Sequence, residues 1–478
     1  MNLLQHGKSI KHRLESNKSS IDMFLFILII IQPLLDVFSF FMVKNDITIL
    51  STMIRMLMFG IVALYSFTIS DNKKAYFITA GVLIAFFTLH MTGCFMEGYQ
   101  SLFQDITMYF RTIQMPVFVL CFITLFKKGK NIPNVIAKGF VVNYLIITGV
   151  IALSYIMGMP EYTYQTGIGL KGWFAIGNAQ SCIISLMAPL TIYWAINNKK
   201  KIYSFIIMAI AYANLFFFGT KVAYYFIFIS LIGMLFFMII NKNKDKAMYF
   251  VIVLCIVVCA GGYKQSPCYA NNYLMGVSFD EWNADIDAIR EKHKNDTTED
   301  GGVSEETYRE IYNLYNKDMV DRFGLKKVVE KYNYSLNSYD LVDNRKYKVN
   351  HASLVMDEKN TMVRLFGFEY MDFVENGESY EPENDFPAIY FSNGIVGLCM
   401  YLAFILYFIV IILIKMKKGI KDALTIECGA VGITFVLLLG AAQLSGNVLR
   451  RPNVTIYFSL ILAYVYYICK LKKPADKF

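Results

Sequence analysis

Residues 387–414, PAIYFSNGIVGLCMYLAFILYFIVIILI, contain no charged side chain. At a rise of 1.5 Å per residue, about 20 apolar residues cross a ~30 Å hydrocarbon core as a helix. Similar apolar runs recur along the chain, in which hydrophobic residues make up 56% and charged residues 17% of 478. A soluble chain would carry about 25% charged residues. The sequence therefore predicts a polytopic membrane protein.

Twelve apolar segments are predicted to be transmembrane helices. All are expected to be helical because lipid would leave an open sheet edge without hydrogen bonds, and no alternating barrel pattern is visible. The segments are 21–43, 47–69, 75–96, 103–126, 134–157, 173–196, 202–219, 222–240, 247–262, 387–414, 422–443 and 454–470. The expected fold class is an all-α polytopic membrane protein, organised as helices 1–9 (1–262), a large loop (263–385) and helices 10–12 (386–478).

The polar insert, residues 264–385, differs in charge from the rest of the chain. It contains 15 Lys and Arg against 25 Asp and Glu, whereas the remainder has 31 basic and 12 acidic residues. The basic residues are spread over many short loops, which argues against nucleic acid binding. With the N-terminus inside, 23 of them fall on the cytoplasmic side and five in the short outer loops. The positive-inside rule then places both termini in the cytoplasm and the insert outside the cell.

Within the insert, two stretches are predicted to be amphipathic helices, 279–294 and 303–331. Ser304 is a predicted N-cap of the second helix, with Glu305 and Glu306 in its first turn. The insert is therefore expected to be a small folded cap.

The sequence gives no positive sign of a metal. No C-x-x-C pair or cluster of His and Cys suggests a metal site. Asp285-x-Asp287 resembles a nucleotide-sugar metal motif, but a solvated helix face is the preferred interpretation, because nucleotide sugars are not supplied outside the cell. His90 and Glu427 are expected to be packing residues with satisfied hydrogen bonds.

Several charged residues lie in, or at the ends of, the outer halves of the predicted helices. Asp36 and Arg55 lie roughly 10–12 Å below the outer surface at ~1.5 Å per residue. They could form an ion pair, with the other cations reaching the headgroups. Alternatively the cations form a site for a lipid-linked phosphate or diphosphate, since an Arg fork donates two hydrogen bonds to phosphate oxygens. The predicted phosphate-binding residues are Arg55, Arg111, Lys221, Arg450 and Arg451.

The junction at the end of the insert carries two carboxylates, Glu383 and Asp385, just before the tenth helix. A carboxylate near lipid and away from bulk water has a raised pKa and can accept a proton from a sugar hydroxyl. The pair could instead bind a cation or cap the helix. Gly394 and Gly397 follow at i, i+3, a spacing that lets another helix approach closely.

These features resemble the O-antigen ligase/polymerase family, whose members have about twelve spans and a large external loop between the ninth and tenth. Its ligases have His-Asn, nine residues, then Gly-x-x-Gly. Here Glu383-Asn384 and Gly394-Ile395-Val396-Gly397 keep that spacing with Glu in place of His. Further similar elements are Gly219-Thr220-Lys221, Gly177-Asn178, Phe366-Gly367 and Ser445-Gly446-Asn447.

The resemblance implies a membrane glycosyltransferase, inverting or retaining, that polymerises or ligates oligosaccharide on the outer face of the cytoplasmic membrane. The implied donor is a polyprenyl-diphosphate-linked glycan and the acceptor a second glycan, for capsule, exopolysaccharide or cell wall. Glu383 or Asp385 is the expected catalytic base, and fixed Arg and Lys could hold the diphosphate without a metal or other cofactor. The alternative is a lipid-glycan flippase or transporter, although the chain has no visible repeat of the transporter kind.

Overall fold

The computed structural model describes residues 18–294, 303–446 and 448–472. Residues 1–17 and 473–478, with their basic side chains, lie outside the described residues, as does Asn447 of the Ser445-Gly446-Asn447 element. The described chain is almost entirely α-helical, with one two-stranded antiparallel sheet. This confirms the predicted all-α polytopic membrane fold.

Among the described residues, eleven long apolar helices correspond to eleven of the twelve predicted segments. They are α1 (Lys18–Lys44), α2 (Thr48–Ile69), α3 (Lys73–Met96), α4 (Leu102–Lys128), α5 (Ile132–Ile156), α6 (Gly177–Asn197), α7 (Lys201–Phe218), α8 (Lys221–Ile240), α17 (Asp385–Lys418), α19 (Ile426–Leu444) and α20 (Pro452–Tyr466), the last continued by a π-helical turn (Tyr467–Leu471). The ninth predicted segment is α9 (Lys246–Gly261), whose 16 residues extend only about 24 Å.

The helix ends follow local capping. Helix α19 begins at Ile426, later than the predicted residue 422, because the Thr425 side chain accepts a hydrogen bond from Cys428 N. Helix α6 begins at Gly177, later than the predicted residue 173, because the preceding segment turns at Gly172 with φ +65°.

The insert is folded into short elements. They are α10 (Pro267–Lys292), α11 (Glu305–Tyr315), α12 (Lys317–Phe323), α13 (Leu325–Lys331), α14 (Ser338–Val342), α15 (Asn344–Glu358), α16 (Thr361–Phe366), β1 (Val374–Glu375) and β2 (Glu378–Ser379), with 3₁₀ turns at Tyr263–Gln265 and Tyr370–Phe373. A short helix, α18 (Ile420–Ala423), separates α17 from α19.

The predicted single helix over 303–331 is wrong in its length. Ser304 does cap α11 as predicted, since its Oγ accepts a hydrogen bond from Thr307 N at 3.2 Å. However, the chain breaks at Asn316, and again at Gly324, where φ is +85°. Asn316 has φ −138° and ψ 32°, outside the helical range, and the positive φ of Gly324 cannot continue a right-handed helix, so the stretch forms three helices.

The chain forms two compact units. Unit 1 comprises residues up to Leu83, Arg111–Ala270 and the residues from Leu402 onward; unit 2 comprises Ile84–Phe110 and Asn271–Tyr401. At the centre of unit 1 is α6, which is buried almost throughout and packs against α5, α7, α8 and α19. A helix surrounded in this way buries all its faces, and α6 is mostly apolar, with Gln180, Ser181, Ser185 and Thr191 as buried polar side chains.

Unit 2 contains an apolar core of its own. Side chains of the insert, such as Ile311, Tyr332 and Phe368, pack with Met108 of α4 in one buried cluster. Burial of a large apolar side chain stabilises a fold by roughly 1.5–3 kcal/mol, so this cluster accounts for a folded insert despite its high charge.

Candidate functional site

The first group of predicted site residues lies in unit 1. Arg55 of α2 donates from Nη2 to Asp36 Oδ1 of α1 at 2.5 Å, with the two side chains 11% and 7% exposed. Arg55 Nη2 also lies 3.4 Å from Ser39 Oγ. The ion-pair interpretation of Asp36 and Arg55 is therefore confirmed, as expected for two charges that neither hydrocarbon nor a packed interior accepts alone.

The start of α20 approaches the same pair. Asn453 of α20 donates a side-chain hydrogen bond to Asp36, two residues after Arg451. In the segment before α20, Arg450 is buried and Arg451 half-buried. Arg111 of α4 is half-buried as well. The structure thus brings the segment that carries Arg450 and Arg451 to the Asp36–Arg55 pair.

The Gly219-Thr220-Lys221 turn joins α7 to α8. Gly219 adopts φ +91°, which favours glycine, and a Cβ there would lie 2.9 Å from Pro267 Cβ. Thr220 caps α8 through Ala223 N, and its Oγ1 lies 2.5 Å from Oγ of Ser181, the fifth residue of α6. This turn is therefore tied to the helix start that bears Gly177-Asn178, and Lys221 is left exposed.

The predicted carboxylates lie in unit 2. Glu383 Oε2 is 3.4 Å from Arg345 Nε, and Glu383 Oε1 is 3.6 Å from Lys348 Nζ. Both cations project from α15, three residues apart and hence on one helix face. The Glu383 side chain is 28% exposed, so the carboxylate is held between two cations and still reaches solvent.

Sequence reasoning did not identify Arg345 and Lys348 as site residues. The Arg-x-x-Lys spacing is visible in the sequence, but lysines and arginines are common throughout the insert. Their approach to Glu383 depends on contacts across 38 and 35 residues of chain. Asp385, in the first turn of α17, is fully buried.

The two glycine elements cross in unit 2. At Gly367 φ is +91°, and a Cβ there would lie 2.3 Å from the Ser392 carbonyl carbon. At Gly394 φ is +64°, and a Cβ would lie 2.2 Å from Leu365 O. Both distances are impossible for a real Cβ, so the Phe366-Gly367 segment and the Gly394 segment of α17 pass backbone against backbone.

The close packing predicted for Gly394 and Gly397 is confirmed, with a difference in the partner of Gly394. Its neighbour is the end of the short helix α16, and its φ of +64° kinks α17. Gly397 faces Phe86 of α3, since a Cβ at Gly397 would lie 3.0 Å from a carbon of the Phe86 ring. The crossing holds together the two ends of residues 367–394, the segment that contains Glu383.

The remaining charged or polar residues of interest in the sequence, to which no catalytic or binding role is assigned, are Asp285, Asp287, Glu427 and His90. Asp285 and Asp287 lie exposed on α10, which confirms the solvated helix face. Glu427 is buried and accepts hydrogen bonds from Tyr464 Oη and Lys472 Nζ. His90 is buried with both ring nitrogens hydrogen-bonded.

Comparison with known proteins gives one family. The family model described as "O-antigen ligase like membrane protein" matches residues 18–473, nearly the whole chain. No curated protein matches the sequence. The match covers the helices of unit 1 and the whole of unit 2, including the junction at Glu383 and the glycine crossing. The chain belongs to the O-antigen ligase like membrane protein family.

Proposed function

We propose that the protein is a membrane glycosyltransferase that polymerises or ligates a polyprenyl-diphosphate-linked oligosaccharide on the outer face of the cytoplasmic membrane. The observation that carries this proposal is the family match over residues 18–473, since the family joins glycans in the membrane. The acceptor is a second glycan chain, and the product serves a capsule, exopolysaccharide or cell-wall polymer.

The reaction exchanges one bond to the anomeric carbon for another. The acceptor hydroxyl oxygen forms a bond to that carbon as the bond to the diphosphate oxygen breaks. The hydroxyl proton passes to a carboxylate of the protein, and polyprenyl diphosphate leaves with the electron pair of the broken bond. The protein therefore has to supply a base for the hydroxyl and cations for the charge on the leaving diphosphate.

We assign the base to Glu383 in preference to Asp385. A base must come within hydrogen-bond distance of the proton that it accepts. Glu383 is 28% exposed, whereas Asp385 is fully buried in the first turn of α17. Arg345 and Lys348 lie 3.4 and 3.6 Å from the Glu383 oxygens and orient the carboxylate. Asp385 keeps the alternative open to the pair, a carboxylate in the first turn of α17, where the helix dipole favours a negative charge.

We assign diphosphate binding to cations of unit 1. Lys221 is exposed at the first position of α8, where backbone N–H groups also favour an anion. Arg451 and Arg111 are half-buried and could offer forked donors. Arg55 and the buried Arg450 are weaker candidates for direct contact, because Arg55 is already engaged by Asp36 and Arg450 has little exposed surface.

The decisive experiment uses purified protein in lipid vesicles with a synthetic polyprenyl-diphosphate-linked oligosaccharide. We expect a new glycosidic bond, detected by mass spectrometry, and a Glu383→Gln variant slower by about 10²–10⁴-fold, the usual contribution of a general base. Glu378→Gln is the matched control, because Glu378 is an exposed carboxylate of the same loop. Equal rates for Glu383→Gln and Glu378→Gln would refute the base assignment.

The same vesicles test the function itself. Movement of the donor between leaflets without any glycosidic bond would identify a flippase and overturn the glycosyltransferase proposal. For the cations, we expect Lys221→Ala to raise the KM for the donor, with Lys264→Ala as the control at another exposed lysine. A KM unchanged in Lys221→Ala would remove Lys221 from the diphosphate site.

A further inference from the structure

A buried cluster of three potential metal ligands lies in unit 2, away from Glu383 in sequence. His90 and Cys94 are one turn apart on α3, and Asp105 is in the first turn of α4. Their ligand atoms all lie within 4.8 Å of one another, and each side chain is no more than 3% exposed. The proposed glycosyltransferase reaction uses none of the three.

The hydrogen bonds of His90 restrict where its protons are. Its Nδ1 lies 2.8 Å from Phe366 O, and a carbonyl oxygen only accepts, so Nδ1 carries the proton and donates. Its Nε2 lies 2.9 Å from Asp105 Oδ2, which is also only an acceptor when ionised. A neutral ring would thus point a lone pair at a carboxylate. A proton on the carboxyl group, a second ring proton or a cation bound to both atoms must therefore account for this contact.

The position of Cys94 favours the cation. Its Sγ lies 3.6 Å from His90 Nε2, and Zn–S and Zn–N bonds of about 2.3 and 2.0–2.1 Å at a tetrahedral angle separate sulfur and nitrogen by about 3.6 Å. Without a cation, the sulfur would have only a 3.6 Å contact with the ring nitrogen and a 3.9 Å contact with Gly367 O. A divalent ion would use the imidazole, the thiolate and the carboxylate together, and their charges would sum to zero in a buried place.

The surrounding groups match those around protein-bound zinc. A metal-ligating histidine usually donates its other N–H to a carbonyl or carboxylate, as His90 Nδ1 does to Phe366 O. The carboxylate ligand is hydrogen-bonded in turn, because Tyr99 Oη donates to Asp105 Oδ2 at 2.8 Å. Soft sulfur combined with imidazole and carboxylate suits Zn²⁺ better than Mg²⁺ or Ca²⁺.

We propose that His90, Cys94 and Asp105 bind a zinc ion that fixes α3 and α4 to the Phe366-Gly367 segment. The ion lies next to the Phe366-Gly367 segment, which is one of the two segments of the glycine crossing, so it stabilises that crossing. This site is independent of the proposed transfer reaction. The three ligands are close in the sequence, but the sequence does not show that Asp105 of α4 folds against the face of α3 that carries His90 and Cys94. Nor does it show that the Phe366 carbonyl, 276 residues from His90, contacts the ring.

The test is the zinc content of the full-length protein, purified without a polyhistidine tag and equilibrated with ZnCl₂. We expect about one zinc per chain by mass spectrometry of the metal, and a loss of that zinc in Cys94→Ser and Asp105→Asn. Cys399→Ser is the matched control because Cys399 is an exposed cysteine of unit 2, and it should retain the ion. Replacing zinc by Co²⁺ should give a sulfur-to-cobalt charge-transfer band in wild type and Cys399→Ser only.

A second variant covers the case in which the ligand variants do not fold. Tyr99→Phe keeps every ligand and removes only the hydrogen bond to Asp105. We expect it to bind zinc about tenfold more weakly in competition with a chelator. Wild-type protein without bound zinc, or zinc binding equal to wild type in both Cys94→Ser and Tyr99→Phe, would overturn the proposal and leave an imidazolium–carboxylate pair.

Discussion

The Asp36–Arg55 pair of unit 1 and the Glu383 group of unit 2 hold charge in different ways. In the first, one carboxylate meets one guanidinium at 2.5 Å and the side chains are 7% and 11% exposed. In the second, one carboxylate meets two cations at 3.4 and 3.6 Å, and the three side chains are 20–35% exposed. The first pair is closed to ligands as it stands, whereas the second is open to them. The difference in accessibility separates a pair with little surface for a ligand from a carboxylate that solvent reaches.

Substitutions at the glycine crossing should cause the largest loss of stability among the variants proposed for either unit. Gly367→Ala and Gly394→Ala each force a Cβ to within 2.3 Å of backbone atoms at a positive φ. We expect a loss of more than about 4 kcal/mol of stability, which would leave little folded protein. The measurement is the yield of monodisperse protein in detergent.

Gly377→Ala is the control for the crossing. Gly377 also has a positive φ, +81°, but a Cβ there meets no atom within 4 Å. It should lose only the about 1–2 kcal/mol that a left-handed conformation costs. Equal losses at Gly377 and Gly367 would mean that the backbone contact contributes nothing.

Removing one partner of the buried Asp36–Arg55 pair in unit 1 should cause the next largest loss of stability. Arg55→Met leaves Asp36 buried without its cation, which typically costs about 3–5 kcal/mol. The double variant Asp36→Leu/Arg55→Met should recover most of the thermal stability, because an apolar pair of similar volume replaces the charges. If the double variant folds and transfers glycan at the wild-type rate, Arg55 is structural. A folded but inactive double variant would instead assign Arg55 to the diphosphate.

Unit 2 should show a pH dependence that comes from His351. Burial lowers the pKa of His351 below its ordinary value of 6.5. Its Nε2 lies 2.8 Å from Glu375 Oε2, and Arg322 forms an ion pair with the same carboxylate. The rings of Tyr380 and Phe323 pack against the imidazole. A lowered histidine pKa means that the unfolded chain binds the proton more tightly. The contribution is therefore present above pH 6.5 and is lost as the pH falls through the pKa of folded His351.

The expected slope is at most about 1.4 kcal/mol per pH unit for one proton. His351→Phe should flatten the fall in the thermal midpoint between pH 6.5 and 5, while the Asp36→Leu/Arg55→Met variant of unit 1 should leave it unchanged. The same slope in wild type and His351→Phe would exclude His351 as its source.

The smallest effect is expected at the cap of α11. Ser304→Ala removes the acceptor for Thr307 N and should cost about 1 kcal/mol. Ser304→Asp supplies another good cap and should restore the thermal midpoint. A loss equal in both variants would show that the hydroxyl acts through a different contact.

Much of the fold was predictable, and the candidate site only in part. Residues 387–414 indicate a membrane helix because twenty or more apolar residues in a row have no other stable place. Asp36 and Arg55 are conspicuous against such a background, and their pairing is one of the two interpretations that the sequence supports. Ser304 was predictable because a cap depends on residues three positions apart.

Other features could not be predicted because they depend on contacts between distant segments. Arg345 and Lys348 look like any other surface cations until α15 folds against Glu383. The division of 303–331 into three helices was missed because the apolar spacing there continues across Gly324, whose positive φ ends the helix. His90 was expected only to pack, since its partners are known only from the fold.

Composition and spacing along the chain were enough to establish a multi-pass helical membrane protein with a charged insert, because the transfer of apolar residues out of water depends on local composition. They were also enough to indicate the family, through elements whose spacing is preserved. The folded chain was needed to show that Gly367 and Gly394 cross, that Glu383 lies between two cations, and that His90, Cys94 and Asp105 converge. The first two contacts join residues far apart in the chain, and the third depends on how α3 packs against α4, so their geometry follows from the packing of the whole unit.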